Sequence, residues 1–338
     1  MDEIEASIAL AVIACIIFAM TTYFITGGLG FLGQYIVDAI HAHDPLGELR
    51  VLVRTQRKMM PELEKLERAQ WLRGELTQPE TFIDHLKGVD VVIHNAAMVS
   101  FKKADAQEIF DANVLGTRNL AQAARTAGCK NFIFISSISA VDFRPPQMTD
   151  ETMIPDLELK RRDDIYGYTK LLSEKELQEM ADEMRVIILN PSVILGPGSE
   201  RVETVIRAVR KMPFLPMLDY VNAFVDVRDA ARAVTLALTK GRSGERYIVS
   251  SHNARMLEFT RGIVKHIKKD LRVVALSPFG LSLMDKFVSL LDILRLNPGV
   301  RRPSQMNIDK TCSYEKIKLE MGWEPMYSLE QSIADSIK

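Results

Sequence analysis

The chain has 338 residues, 47% hydrophobic and 26% charged, with a formal net charge of -1. That length can bury a large core and fill one big domain or two intertwined ones. The near-neutral charge supplies no basic field for nucleic acid and no acidic one for basic partners.

In chain order, Ile8 to Met20 is apolar and reaches the length of a membrane span only with the following strand included. Asp2, Glu3 and Glu5 precede it and no Lys or Arg follows until Arg50, so it lacks the basic flank of a signal peptide or an oriented anchor. Two readings stay open for residues 1–20: an anchor giving membrane association through residues 8–20, or an upstream extension of a protein that starts at Met20.

From Thr22 onward, short apolar runs alternate with helical patterns. Strands are expected over Tyr23–Thr26, Arg50–Val53, Gln70–Leu72, Val89–His94, Asn131–Ser136, Arg185–Asn190 and Arg246–Val249. Helices are expected over Phe31–His43, Pro79–Leu86, Ala104–Ala127, Tyr166–Glu183 and Arg228–Thr239. This alternation predicts an α/β fold, a doubly wound parallel sheet of the Rossmann type, with ligands at the carboxyl ends of the strands. After Pro191, prolines at 197, 213, 216, 278, 298, 303 and 325 break the pattern into a smaller C-terminal substrate lobe over the mouth of the sheet. Residues 21–190, with 224–250 returning to them, form the expected dinucleotide-binding domain; 191–223 and 251–338 form the substrate-binding lobe. Within the lobe, Met212 to Met217 hints at an apolar substrate or at packing. Leu281, Leu283, Met284, Phe287, Val288, Leu291 and Leu294 make a helical stripe, read first as core or lobe packing and second as a membrane-contacting or substrate-entry helix. Cys15, Cys129 and Cys312 lie far apart and the six histidines lack ligand spacing, so no metal site is expected and a reducing, cytoplasmic setting fits.

Chemistry enters at three places. Gly27, Gly30 and Gly33, three apart between the first strand and its helix, suit a tight turn, close approach of a pyrophosphate and helix packing, in that order. The helix N-terminus adds unpaired N–H groups and a favourable dipole. At the tip of the second strand stands Arg54, with Arg57 and Lys58 beyond and no acid, which suits a ribose 2′-phosphate. NADP(H) is therefore favoured and NAD(H) is the alternative. Finally, Tyr166 and Lys170 lie four apart on one helix face. A free phenol titrates near ~10, and an adjacent ammonium favours the phenolate.

The same chain carries Arg73-Gly74-Glu75-Leu76-Thr77, His94-Asn95-Ala96-Ala97, Asn113 to Thr117, Ser136-Ser137, Asn190-Pro191-Ser192, Gly196-Pro197-Gly198, Phe224 to Asp229, Gly244 to Tyr247 and Leu319 to Pro325. Taken with the glycine turn and the Tyr–Lys pair, this ordered set resembles the extended short-chain dehydrogenase/reductase superfamily (NAD-dependent epimerase/dehydratase family), from about Thr22 to the C-terminus. Ala97-Met98-Val99-Ser100-Phe101 and the Arg54 tip resemble its dihydroflavonol reductase-like and 3β-hydroxysteroid dehydrogenase-like subgroup. The resemblance implies Tyr166 as general acid/base, Lys170 on the nicotinamide ribose while lowering the tyrosine pKa, and Ser137 (Ser136 its rival) on the reacting oxygen. It further implies Asn113 as a helix residue on the proton-relay side. Phe31 and Leu32 would follow the glycines at the phosphates, with Ala96 and Ala97 near the adenine ribose and phosphates. Glu75 and Leu76 would flank the adenine, and Pro191, Ser192 and Val193 would border the nicotinamide. The implied activity is hydride transfer between a nicotinamide and a secondary alcohol or ketone, with an apolar, steroid- or flavonol-like substrate in view. A sugar-nucleotide epimerase or dehydratase with tightly bound NAD and a non-catalytic dinucleotide-binding regulator are the alternatives. The partner is a small molecule rather than a nucleic acid, with a homodimer as a further option.

Overall fold

A computed structural model describes residues 20–55, 59–100, 103–267, 270–293 and 303–337. Residues 1–19, Arg57, Lys58, Phe101 and Leu294, all invoked above, lie outside the described residues. The strands are β1 (Thr22–Thr26), β2 (Glu48–Val53), β3 (Ala69–Arg73), β4 (Val91–His94), β5 (Asn131–Ile135), β6 (Arg185–Pro191), β7 (Val193–Leu195), β8 (Phe214–Met217), β9 (Val221–Asp226), β10 (Arg246–Val249), β11 (His252–Arg255) and β12 (Arg272–Ala275). Seven of them pair in parallel in the order β10-β6-β5-β4-β1-β2-β3. The strand order reverses beside β1, which opens a crevice between the carboxyl ends of β1 and β4.

The helices are α1 (Phe31–His43), α2 (Ala106–Phe110), α3 (Gly116–Thr126), α4 (Leu157–Asp163), α5 (Ile165–Gln178), α6 (Glu200–Lys211), α7 (Val227–Lys240), α8 (Met256–Ile267), α9 (Pro278–Ile293), α10 (Pro303–Met306), α11 (Glu315–Met321) and α12 (Leu329–Ile337). Successive strand residues point to opposite faces, and both faces are covered, so the central strands are apolar over most of their length. Ile25, Ile93, Ile133 and Ile187 pack with Ile36, Val37 and Ile40 of α1 and Val234 and Ala237 of α7. Phe24, Val92, Phe132 and Ile188 pack with Leu120 and Ala124 of α3 and Leu177 of α5.

Three expected helices come out differently. The one over Pro79–Leu86 is a pair of 3-10 turns, Pro79–Thr81 and Ile83–Leu86. Between them Phe82 takes φ -136 and buries its ring 6.5 Å from Phe24. The helix over Ala104–Ala127 is interrupted by a π turn, Asp111–Leu115, between α2 and α3. The helix bearing Tyr166 ends at Gln178 rather than Glu183. His41 and His43 form the last turn of α1, within the expected helix bounds.

The segment after Pro191 is more regular than its prolines suggest, with β7, β9 and β11 forming a second sheet and β8 and β12 a third. The C-terminal stretch is tied back to the main sheet through Asp229 and Trp323. Trp323 is fully buried and donates its indole N–H to the Asp229 carbonyl at 3.0 Å. The Asp229 carboxylate accepts the backbone N–H groups of Met326 and Tyr327 at 3.0 and 3.1 Å. We predict that Trp323→Ala lowers stability by about 3–5 kcal/mol, read by urea denaturation. A loss below about 1 kcal/mol would show that this anchor is dispensable.

Candidate active site

The first wall of the site is the turn between β1 and α1. Gly27 has φ +68, the left-handed region, and a Cβ there would lie 2.7 Å from the Ala96 nitrogen. Gly30 closes the turn by donating its N–H to the Gly27 carbonyl at 3.0 Å and precedes the first turn of α1. A Cβ on Gly33 would stand 1.9 Å from that same carbonyl. The turn therefore exists only because these positions lack side chains, and it leaves the first N–H groups of α1 facing the crevice.

A buried histidine fixes the turn against β4. His94 Nδ1 lies 2.7 Å from Thr26 Oγ1, and its Nε2 lies 2.9 Å from Thr117 Oγ1. Thr117 donates its own proton to the Asn113 carbonyl, and Thr26 accepts the Ala96 N–H. Since Thr117 has given its own proton away, Nε2 carries the ring proton to it, and Nδ1 of a neutral ring can accept from Thr26. Burial, with Lys170 adding, pushes the His94 pKa down to about 3, so the ring stays neutral.

The second wall is α5. Asp164 caps it by accepting the Gly167 N–H at 3.1 Å, and Tyr166 and Lys170 follow on its buried face. Ser137 is close enough to the Tyr166 phenol to favour its ionised form, and both side chains line the same cleft. Ser137 Oγ also accepts the Ser139 N–H at 3.1 Å, which leaves the hydroxyl proton for a partner in the cleft. Ser136, the rival, is buried and donates to the Glu174 carboxylate instead. Lys170 Nζ donates to the Ile135 carbonyl at 2.7 Å and stands 4.4 Å above the Phe134 ring. Burial pushes the Tyr166 pKa up to about 12, with Ser137 opposing and Asp164 adding. Burial also pulls Lys170 down to about 7, with Glu174 opposing. Lys170 is not among the groups acting on the phenol, because its ammonium turns to Ile135; the lowering expected from the pair is absent in this structure.

Both walls open on one cleft of about 1610 Å³. Gly27, Gly30, Phe31, Leu32, Arg54, Glu75, Leu76, Ala96, Ala97, Ser137, Tyr166, Lys170, Pro191, Ser192 and Val193 all line it. Gly33 and Asn113 do not. Gly33 packs behind the turn, and Asn113 sits on the π turn, where it accepts the Met98 N–H at 2.7 Å and donates to the Met98 carbonyl and to Thr169. Arg54 is 65% exposed and approaches Glu75 at only 3.7 Å, so its guanidinium is not committed to a tight ion pair. Ser192 Oγ is buried and finds no hydrogen-bond partner among the described residues. The side-chain-free cradle at Gly27 and this orphaned hydroxyl at the opposite end fit a dinucleotide. The substrate end adds Met98, Val99, Phe143, Leu159, Tyr220 and Ile308. The Met212 to Met217 stretch contributes nothing to it: Met212 and Phe214 are exposed outside the cleft and Leu215 packs in the lobe.

Comparison with known proteins places this geometry. The sequence profile of the NAD dependent epimerase/dehydratase family matches residues 23–250. The chain belongs to that family. It is 31% identical over 331 residues to sterol demethylase protein B of Methylococcus capsulatus, covering 94% of this chain and 97% of that protein. Identity is 23% over 340 residues with a 3-beta-hydroxysteroid dehydrogenase of Mycolicibacterium neoaurum, covering 93% and 89%. The crystal structure of gox2253 matches with a TM-score of 0.78 at 25% identity, over 94% of this chain and 96% of that one. As a member of this family, the chain is an NAD(P)-dependent enzyme of the extended short-chain dehydrogenase/reductase type.

Sequence reasoning missed the support beneath the site. Glu174 is 1% exposed, approaches Arg246 at 3.3 Å and accepts Asn190 Nδ2 at 2.6 Å. Two signals were available: Glu174 stands one further turn along the Tyr–Lys face, and Arg246 begins an otherwise apolar strand. For this family member the raised phenol sets a direction to the pH response. Alcohol oxidation needs the phenolate, and ketone reduction needs the phenol. Above about pH 8, where Lys170 has already titrated, kcat/KM for oxidation should climb about tenfold per pH unit while reduction stays level. Paired pH profiles check this, and a level oxidation profile would exclude Tyr166 as the base.

Proposed function

We propose that the protein is an NADP(H)-dependent oxidoreductase that interconverts a ketone and a secondary alcohol on an apolar, polycyclic, sterol-like substrate. The observation that carries it is the convergence of Tyr166, Ser137 and Lys170 on a single cleft, with Lys170 one helical turn from Tyr166 on the same buried face. Residues 21–190 and 224–250 would form the dinucleotide-binding part, and 191–223 and 251–338 the lobe over it.

Gly27, Gly30, Phe31 and Leu32 would hold the pyrophosphate, Arg54 the 2′-phosphate, and Ala96 and Ala97 the adenine ribose. Glu75 and Leu76 would flank the adenine, and Pro191, Ser192 and Val193 the nicotinamide. A bound nicotinamide dinucleotide supplies the hydride in reduction and accepts it in oxidation. Ser137 Oγ donates a hydrogen bond to the substrate oxygen and fixes it beside the phenol. Tyr166 Oη delivers its proton to that oxygen in reduction and takes it back in oxidation. Lys170, one turn along the same buried face and lining the cleft, would reach the nicotinamide ribose, and Asn113 holds the backbone at Met98 that borders the substrate.

The exposed, loosely paired Arg54 supports NADP(H). The side chains Met98, Val99, Phe143 and Leu159 support an apolar substrate, as do relatives whose names refer to sterols and hydroxysteroids. Identifying the copurifying dinucleotide by mass spectrometry, then screening ketones with it, tests the reading. Freely exchanging NADP(H) agrees with it, and retained NAD would favour an epimerase instead.

Two substitutions sharpen the test. Tyr166→Phe should keep dinucleotide affinity and lower turnover by about 10²- to 10⁴-fold; unchanged turnover would sink the assignment. Arg54→Ala should weaken NADP(H) by about tenfold or more and leave NAD(H) nearly unchanged, measured by paired titrations. An equal response to both cofactors would remove Arg54 from the 2′-phosphate.

A further inference from the structure

Helix α9 is amphipathic in the wrong sense for a helix that only packs on its lobe. Phe279, Leu283, Phe287 and Leu290, spaced i, i+4, i+8 and i+11, share one face and are 78%, 59%, 60% and 50% exposed. The half-buried side instead carries Asp285 and Ser289 beside Leu281 and Val288. Asp285 Oδ1 accepts the backbone N–H of Ser304 at 3.1 Å, and Ser289 Oγ donates to the Asp285 carbonyl at 2.7 Å. A helix shaped by lobe packing alone turns its phenyl rings inward and its carboxylate outward. Here the polar side is held by the Asp285–Ser304 hydrogen bond, Ser289 bonds back within the helix, and the apolar side is presented to solvent. The expected packing stripe is therefore corrected: of its members, Leu281 and Val288 turn toward the lobe, whereas Leu283, Met284 and Phe287 do not.

Charge identifies what the face meets. From Arg261 to Arg302 the sequence holds nine Lys or Arg, three Asp and no Glu, in a chain of net charge -1. Lys286 is exposed at the edge of the apolar face, and Arg272 is exposed on the strand that leads into the helix. Phe214 and Val274 on the adjoining β8–β12 pair are also exposed, at 52% and 45%. A second copy of the chain would oppose like charges across such a face. Phenyl and leucyl side chains bordered by cations suit the headgroup boundary of an anionic bilayer. At 16 residues the helix is about 24 Å long, and no helix among the described residues is long and apolar enough to cross a membrane. It would lie in the plane of the surface.

We infer that the outer face of α9 docks the protein on anionic lipid surfaces, independently of residues 8–20 and of the redox reading. The test is co-sedimentation of the full chain with vesicles of phosphatidylcholine alone and of phosphatidylcholine mixed with phosphatidylglycerol. The double variant Phe279→Glu, Phe287→Glu is run alongside, with its thermal midpoint as the folding control. The wild type should bind the mixed vesicles and bind the neutral ones more weakly. The variant should lose at least about tenfold in partitioning with an unchanged midpoint. Wild-type protein that stays in the supernatant overturns the inference. So does equal binding to both vesicle types, or a variant that binds as the wild type does, which would assign binding to another segment. A variant that changes only the oligomeric state by light scattering would assign the face to a second copy.

Discussion

A carboxylate with almost no access to water holds the reactive end of this molecule together. Glu174 on α5 meets Arg246 from β10, Ser136 from the end of β5 and Asn190 from β6. Asn190 also donates to the Ser137 carbonyl, and Arg246 to the Ala140 carbonyl, so the loop carrying Ser137 is gripped from two strands. Burial pushes the Glu174 pKa up, and Arg246 is the largest single group opposing that rise, ahead of Ser136 and Asn190. Breaking a buried pair by removing one partner costs about 3–5 kcal/mol, because a lone charge is left behind. The pair therefore sets where α5 sits on the sheet, and with it the positions of Tyr166 and Lys170.

The other half of the site depends on neutrality. His94 links Thr26 on β1 to Thr117 on α3, and burial keeps its ring uncharged. The glycine turn leans on Ala96 from one side, and the π turn at Asn113 grips the backbone of Met98 from the other. The crevice is thus bounded by a neutral network at the dinucleotide end and a charged one at the reacting end. The deep desolvation that raises the phenol and lowers the ammonium follows from the same close packing.

Much of this was legible in the sequence, for identifiable reasons. The inner strands of the main sheet are buried on both faces, so they read as short apolar runs, and all seven expected strands are present. Gly27, Gly30 and Gly33 stood out because their spacing reflects steric need at each position. The Tyr166–Lys170 spacing was readable because both lie on one face of one helix. Choosing between Ser136 and Ser137 was not readable, since adjacent residues differ only in which way a strand end turns. The π turn was invisible because no proline or glycine marks it within Asp111–Leu115 and the chain enters and leaves it in helical conformation, and Phe82 breaks its helix for a tertiary reason, its place against Phe24. Helix α9 misled because an apolar stripe has the same periodicity whether it faces the core or the solvent.

The central claim is that one cleft moves a hydride and a proton together. It is tested most directly with NADPH deuterated at the transferable C4 position and a polycyclic 3-ketosteroid. The account predicts an alcohol carrying one deuterium at the reduced carbon and an equal amount of NADP⁺. An alcohol without deuterium, or an isomerised product with no net oxidation of the cofactor, would contradict it.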